Sequence, residues 1–272
     1  MGIRKNNNPT IYRIGGSSVL EATIDGLMEN NVFLEHIDGD EKDKEVIRHG
    51  LETALKNAKQ LELEPVMAKS GIYCAWFVPD LSFISPFVIG REQIMMSRHV
   101  KSCERSNYTN DEYYGTIDAP IARDFDFDEG GELTRIFGYT NEDAGKVFVL
   151  VTDPGQPCAD AKLIGGMFGN MTWAEHEQAF AEWKAKKEGA NALIRCMDGF
   201  AHHSINTHMI ASGDALLGSY GGYDYVEMAA VGGLRPYGYV DGSSSNWNAS
   251  GRSGRSSGWG VAALVGGEKF NA

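Results

Sequence analysis

Close cysteine pairs are missing from this sequence. Cys74, Cys103, Cys158 and Cys196 stand far apart, with no C-x-x-C spacing among them. A four-cysteine zinc site normally uses such pairs, so that class of metal centre is not expected, and the thiols read as unbridged residues of a reducing compartment. Long apolar runs are also missing: none reaches the roughly 18 residues of a membrane-spanning helix. The start, MGIRKNNNPT, has no apolar core of a signal peptide, so none is expected. Gly2 stands where a myristoylation motif begins, but the sixth position is Asn6 rather than Ser or Thr. Basic residues are in the minority, 25 Lys and Arg against 37 Asp and Glu, for a net charge of −12. Nucleic-acid modules usually carry a basic excess, so DNA or RNA is not expected as a partner, and neither is membrane insertion.

Proline is scarce, at 8 residues, whereas glycine is abundant, at 33. Average usage of about 7% would give roughly 19 glycines. High Gly with low Pro fits tight turns between strands better than a low-complexity chain. Hydrophobic residues at 42% and charged residues at 23% are ordinary for a globular protein with a sizeable core.

Two helices are expected near the start. In SSVLEATIDGLMEN, Ser18 and Glu21 form a capping-box pattern, and Leu20, Ile24, Leu27 and Met28 share a face. In residues 40–63, Asp40 is a candidate cap, and Leu51, Ala54, Leu55 and Ala58 recur at helical spacing after Ile47. Residues 1–62 are therefore expected to be an N-terminal helical attachment region. From Leu63 the chain turns aromatic and β-branched. SGIYCAWFVPDLSFISPFVIGREQI reads as two or three short strands, DFDFD as a half-buried strand, and KVFVLVTDP as a central strand. MTWAEHEQAFAEWKAKKEG reads as a helix, with Thr172 and Glu175 as its capping box, Trp173, His176, Phe180 and Trp183 at helical spacing, and lysines in its last turn. Leu193, Met197 and Phe200 point to a helix at the start of the next segment. After Gly218, loops and one short strand are expected. The fold class is thus α+β, with a helical start followed by a mixed, mostly antiparallel domain over 63–272 that has long loops.

No catalytic signature is convincing. His202, His203 and His208 cluster, but their spacings fit no zinc template, and no Glu lies between them. They are kept as a weak metal alternative, beside Cys196 and Asp198, for a metal-assisted hydrolase; otherwise no metal and no cofactor is expected. The acidic stretches DFDFDEGGE and IDGDEKD fail the calcium-loop pattern, which needs Gly sixth and Glu twelfth: those places hold Glu129 and Arg135 counted from Asp124, Gly131 and Phe137 from Asp126, and Asp43 and His49 from Asp38. GRSSG around Ser256 has the letters of a nucleophile elbow without the strand and helix that elbow needs.

The aromatic density of the C-terminal region is the informative feature. Tyr220, Tyr223, Tyr225, Tyr237, Tyr239, Trp247 and Trp259 fall close together among Ser, Gly and Asn. This is the residue mix of evolved binding surfaces. NWNASGRSGRSSGWGVAALV resembles the closing segment of C-type-lectin-fold proteins, particularly phage receptor-binding and variable proteins, although their GGSW, WND and EPN motifs are not present. The resemblance covers about the last 50 residues and implies a C-type-lectin-like end to the domain, with a ligand-binding region over about 218–272. It implies ligand contacts from Asn246, Trp247, Asn248, Arg252, Arg255 and Trp259, with Tyr237 and Tyr239 nearby, and a final strand whose buried side is Val261, Ala263 and Val265. The function it implies is a non-enzymatic phage virion protein of tail or receptor-binding type, made in the host cytoplasm. Its expected partners are a host cell-surface ligand, carbohydrate or protein, other virion subunits and copies of itself. A capsid decoration or assembly subunit using the same surface as an interface is the alternative.

Overall fold

The computed structural model describes residues 41–67, 73–78, 88–89, 93–94, 125–127, 133–136, 139–140, 142–143, 145–158, 160–188, 193–199, 201–202, 205–206, 209, 215–227, 234–241, 244–251, 255 and 258–267. The fold is α+β. Helix α1, Glu41–Gln60, precedes strands β1 (Glu64–Pro65), β2 (Ala75–Phe77), β3 (Val88–Ile89), β4 (Gln93–Ile94), β5 (Phe125–Phe127), β6 (Leu133–Ile136), β7 (Tyr139–Thr140), β8 (Val147–Thr152) and β9 (Gly166–Met167). Helix α2, Trp173–Glu188, follows, and then β10 (Ile194–Cys196), β11 (Gly222–Asp224), β12 (Leu234–Asp241), β13 (Ser244–Gly251) and β14 (Trp259–Gly266). Nine strands form one sheet along the path β1-β8-β14-β11-β12-β13, with β2 added on β8 and with β9 and β10 on β14. The pairs are antiparallel except β11 with β14. Among the described residues, β3–β4 and β5–β6–β7 form two further small sheets.

Strand β14 is the hub. Ala263–Val265 pairs with β8 and with β10, while Val261 and Ala262 pair with β9. Val261, Ala262, Ala263, Leu264 and Val265 are all 0% exposed. Burial on one side only was the expectation; the strand is instead covered on both. Val261, Ala263 and Val265 join the core shared by the two helices, which includes Leu51, Ala58, Trp173 and Phe180. In register with the other face, Leu264 is paired with Leu150 and Arg195. There Trp76, Tyr139 and Phe148 pack edge to face, and the Arg195 guanidinium lies 3.3 Å from the Tyr139 ring centre.

Helix α1 belongs to this core. Leu51, Ala54, Leu55 and Ala58 are buried, as their spacing predicts, and the helix packs on β8 and β14. Small residues bring α1 directly onto the sheet. A Cβ on Gly50 would press on Val147, one on Gly267 would collide with the Gly50 carbonyl, and Asn57 Nδ2 donates to the Gly266 carbonyl at 3.0 Å. The helix closes with Leu63 N donating to Ala58 O and Glu62 N to Lys59 O, the two bonds of a Schellman cap. Glu62, at φ 55°, holds the left-handed position that glycine usually takes. The expected helix around 18–28 and the cap Asp40 lie outside the described residues.

Helix α2 follows its sequence signals. Thr172 N donates to Glu175 Oε2 at 2.8 Å, and Glu175 N reaches Thr172 Oγ1 at 3.4 Å, which is the capping box. Trp173, His176, Phe180 and Trp183 are all buried. The next segment differs from expectation: residues 194–196 are strand β10, because pairing with β14 overrides a helical pattern only three residues deep. Helical backbone starts at Gly199, and Ala201, His202, Ile205, Asn206 and Met209 supply its buried positions. The loops expected after Gly218 are largely strands, since β12 and β13 pair over eight residues each. The Schellman cap makes a test. Glu62→Gly should raise unfolding free energy in denaturant by about 0.5–1 kcal/mol, the left-handed cost of a side chain less glycine's entropy. Gly267→Ala should lower it by about 1–3 kcal/mol through overpacking against Gly50.

Candidate functional site

Of the C-terminal residues expected to bind a ligand, Tyr237, Tyr239, Asn246, Trp247 and Asn248 lie on a hairpin rather than on a loop, and Trp259 begins β14. β12 ends at Asp241 and β13 begins at Ser244, with those two residues paired. Only Gly242 and Ser243 lie between, a dipeptide suited to a two-residue hairpin turn. Asn246 stands opposite Tyr239, Trp247 opposite Gly238, and Asn248 opposite Tyr237. Tyr237 and Tyr239, two residues apart and so on one face of β12, are both half-buried. Their rings stack at 5.6 Å with 28° between planes, and the Trp259 ring lies 4.3 Å from that of Tyr237. Gly222, between Tyr239 and Trp259 in register, keeps this face clear; a Cβ there would press on the indole. Three aromatic rings from two strands thus form one partly open surface.

The opposite face of β12 explains why that surface is rigid. Gly238 is buried, and a Cβ on it would collide with Tyr225 Oη and His202 Nδ1. Those two atoms are hydrogen-bonded at 2.5 Å, and His202 Nε2 lies 3.0 Å from the Leu217 carbonyl. Burial lowers the His202 pKa from 6.5 to about 4, only partly offset by the Leu217 carbonyl. The neutral ring then donates from Nε2 to Leu217 and accepts the Tyr225 hydroxyl proton at Nδ1. Asn206 clamps Leu217 from both sides, accepting from its N–H at 2.7 Å and donating to its carbonyl at 3.1 Å. The 218–221 turn is fastened in turn to β12, with Val240 N donating to Gly218 O at 3.1 Å. This turn carries Tyr220, 62% exposed, with the Lys162 ammonium 4.6 Å from its ring centre. Tyr220 and Lys162 are surface residues that sequence reasoning did not single out as contacts. Their proximity joins loops 58 residues apart, and no local pattern reports it.

The other sequence candidates divide. Arg255 is exposed but engaged: it is ion-paired with Glu175 and donates to the Asn170 carbonyl at 3.2 Å, tying the C-terminal stretch to the start of α2. Arg252, His203 and His208 lie outside the described residues. His202 has both nitrogens committed and is fully buried, which removes it as a metal ligand. Among the described residues no group of three His, Cys, Asp or Glu side chains could hold a metal ion. Burial pushes the Cys196 thiol well above its usual pKa, with the Glu227 carboxylate adding to the effect, which keeps it protonated and unreactive. Its Sγ lies 3.3 Å from the Met197 carbonyl and 3.6 Å from that of Asp224.

Two buried polar links were not legible in the sequence. His176 Nδ1 meets Asp224 Oδ2 at 2.6 Å, while Nε2 meets the Phe168 carbonyl. Both ring nitrogens of His176 therefore have buried partners. Separately, a groove of about 750 Å³ opens between the end of α1, the turn after β8, and α2. Asp153 at its wall is internally engaged: Trp183 Nε1 donates to it at 2.8 Å, Gly155 N at 3.0 Å, and Lys187 lies 3.1 Å away. Burial opposes ionisation of Asp153, but these donors outweigh it and hold its carboxyl below the usual range. That carboxylate serves the fold.

Comparisons with family models, with curated proteins and with solved structures found no match to this chain.

The His202 assignment has a pH consequence. With a folded pKa of about 4 against 6.5 unfolded, the unfolded chain alone binds a proton between those values. Stability from this group is complete above 6.5 and falls with pH toward 4, by roughly 3 kcal/mol at about 1.4 kcal/mol per unit. Denaturant unfolding across that window should show the loss in the native chain, and a shallower slope in His202→Gln. Parallel slopes in the two proteins would refute the buried neutral histidine.

Proposed function

We propose that this chain is a non-enzymatic virion structural protein of phage tail or receptor-binding type. The aromatic face of the β12–β13 hairpin binds a host-surface ligand, and the C-terminal part of the domain is C-type-lectin-like. The protein acts in the virion as a homo-oligomer, in contact with other virion subunits. One observation carries this reading: Tyr237, Tyr239 and Trp259 gather three rings on one partly open surface, held by a sheet. Burying such rings completely would contribute more to stability, about 25 cal/mol per Å² of apolar area. Rings left half-open on rigid strands suit a planar ligand such as a sugar ring, with asparagines on the neighbouring strand as hydrogen-bonding residues. Tyr220 and Lys162 extend the surface. A capsid decoration subunit would bury the same rings against a sister subunit.

The test is binding of the purified chain to bacterial cells and to arrayed cell-surface polysaccharides. Tyr239→Ala should weaken a detected interaction at least about tenfold, or about 1.4 kcal/mol, with an unchanged circular dichroism spectrum. Trp259→Ala should do the same. Native-like binding by both variants would place the ligand elsewhere.

A further inference from the structure

The edge of the large sheet points to a partner. β13 ends the path β1-β8-β14-β11-β12-β13 and, among the described residues, pairs with β12 alone. Sheet edges are normally protected by short strands, by charges, by proline or by bulges. Shortness applies at the far side of this sheet, where β1 has two residues and β2 three. None of these devices applies to β13. It is eight residues long, its register with β12 is unbroken, and its sequence, SSNWNASG, holds neither a charge nor a proline. In a chain of net charge −12, β13 is the one described sheet edge of this length, and because it carries no charge two copies can come together along it without opposing like charges.

We infer that two copies of this chain pair β13 against β13, antiparallel, about a two-fold axis, and join their sheets into one. The symmetry restricts the register. An axis normal to the sheet leaves each side chain on the same face in both copies, and directly opposed residues must share a face. Each residue then faces one of like parity, so the pairing centres on a single residue, Asn248 on Asn248 or Trp247 on Trp247. The same axis puts the Tyr237–Tyr239–Trp259 surfaces of both copies on one side of the joined sheet. If that surface binds ligand as proposed above, the pair engages two ligands at once and gains avidity; the pairing itself does not depend on that reading.

Sedimentation of the full chain at micromolar concentration should give twice the chain mass. Successive backbone N–H groups on an edge strand point alternately inward and outward, so Asn248→Pro and Ala249→Pro differ in which bond they remove. One of them should convert the dimer to a folded monomer. As a measurement independent of those variants, Asn248→Cys and Trp247→Cys place thiols at the two allowed centres. One of these, and not Ser245→Cys, should form a covalent dimer under mild oxidation. A monomeric native chain overturns the proposal, even one that captures extended peptides from other proteins. So does a native dimer in which neither central cysteine cross-links, or one that persists in both folded proline variants.

Discussion

The large sheet and both described helices are arranged around a strand buried on both faces. β14 has no exposed residue from Val261 to Val265, so it needs cover above and below and pairing on both sides. Its small residues make that possible. Ala262 pairs with β9 and Ala263 with β8 and β10, and Gly267 lets α1 approach the strand end. Neighbours from the whole described chain, from α1 at residue 41 to β11 at 224, meet on this one strand near the C-terminus. The core therefore closes through contacts of high sequence separation, the kind whose loop-closure entropy makes folding slow.

The same strand begins at Trp259, where core becomes surface. Two positions on from the half-buried indole, Val261 is already fully buried. The rigidity of the aromatic surface is inherited from this connection and from the opposite face of β12. There Gly238 rests against the Tyr225–His202 hydrogen bond, so any side chain at 238 would push the hairpin off its support. A buried polar pair is costly unless satisfied, and here both histidine nitrogens have partners. The polar pair thus fixes where the hairpin sits rather than doing chemistry.

What the sequence discloses and what it conceals follow the range of the interactions. Helix α2 was legible in full, because the capping box and the four buried positions repeat within one helix. Helix α1 and β8 were legible for the same reason. The β12–β13 hairpin was not: Ser, Gly and Asn have low strand propensity, and their pattern reads as loop. Its clue was the two-residue Gly242–Ser243 connection. The two-sided burial of β14 was legible in principle, because Val261–Val265 is a continuous apolar run rather than an alternation. His176–Asp224 and His202–Tyr225 join residues 48 and 23 apart, and only the fold brings them together.

Arg255 changes the reading of the Gly- and Ser-rich stretch. By charge alone it is a natural ligand contact, yet it is paired with Glu175 and donates to the Asn170 carbonyl. Asn170 and Phe168 both adopt left-handed backbone, at φ 62° and 58°, which is unusual for a bulky aromatic. Such strain persists only where surrounding contacts over-determine it. Here the Phe168 carbonyl is held by His176, its ring packs edge to face on Trp183, and the Asn170 carbonyl is held by Arg255. The arginine therefore fastens the C-terminal stretch to a strained turn that leads into α2. With this charge committed to the fold, the described centre of the candidate surface is the ring cluster of Tyr237, Tyr239 and Trp259.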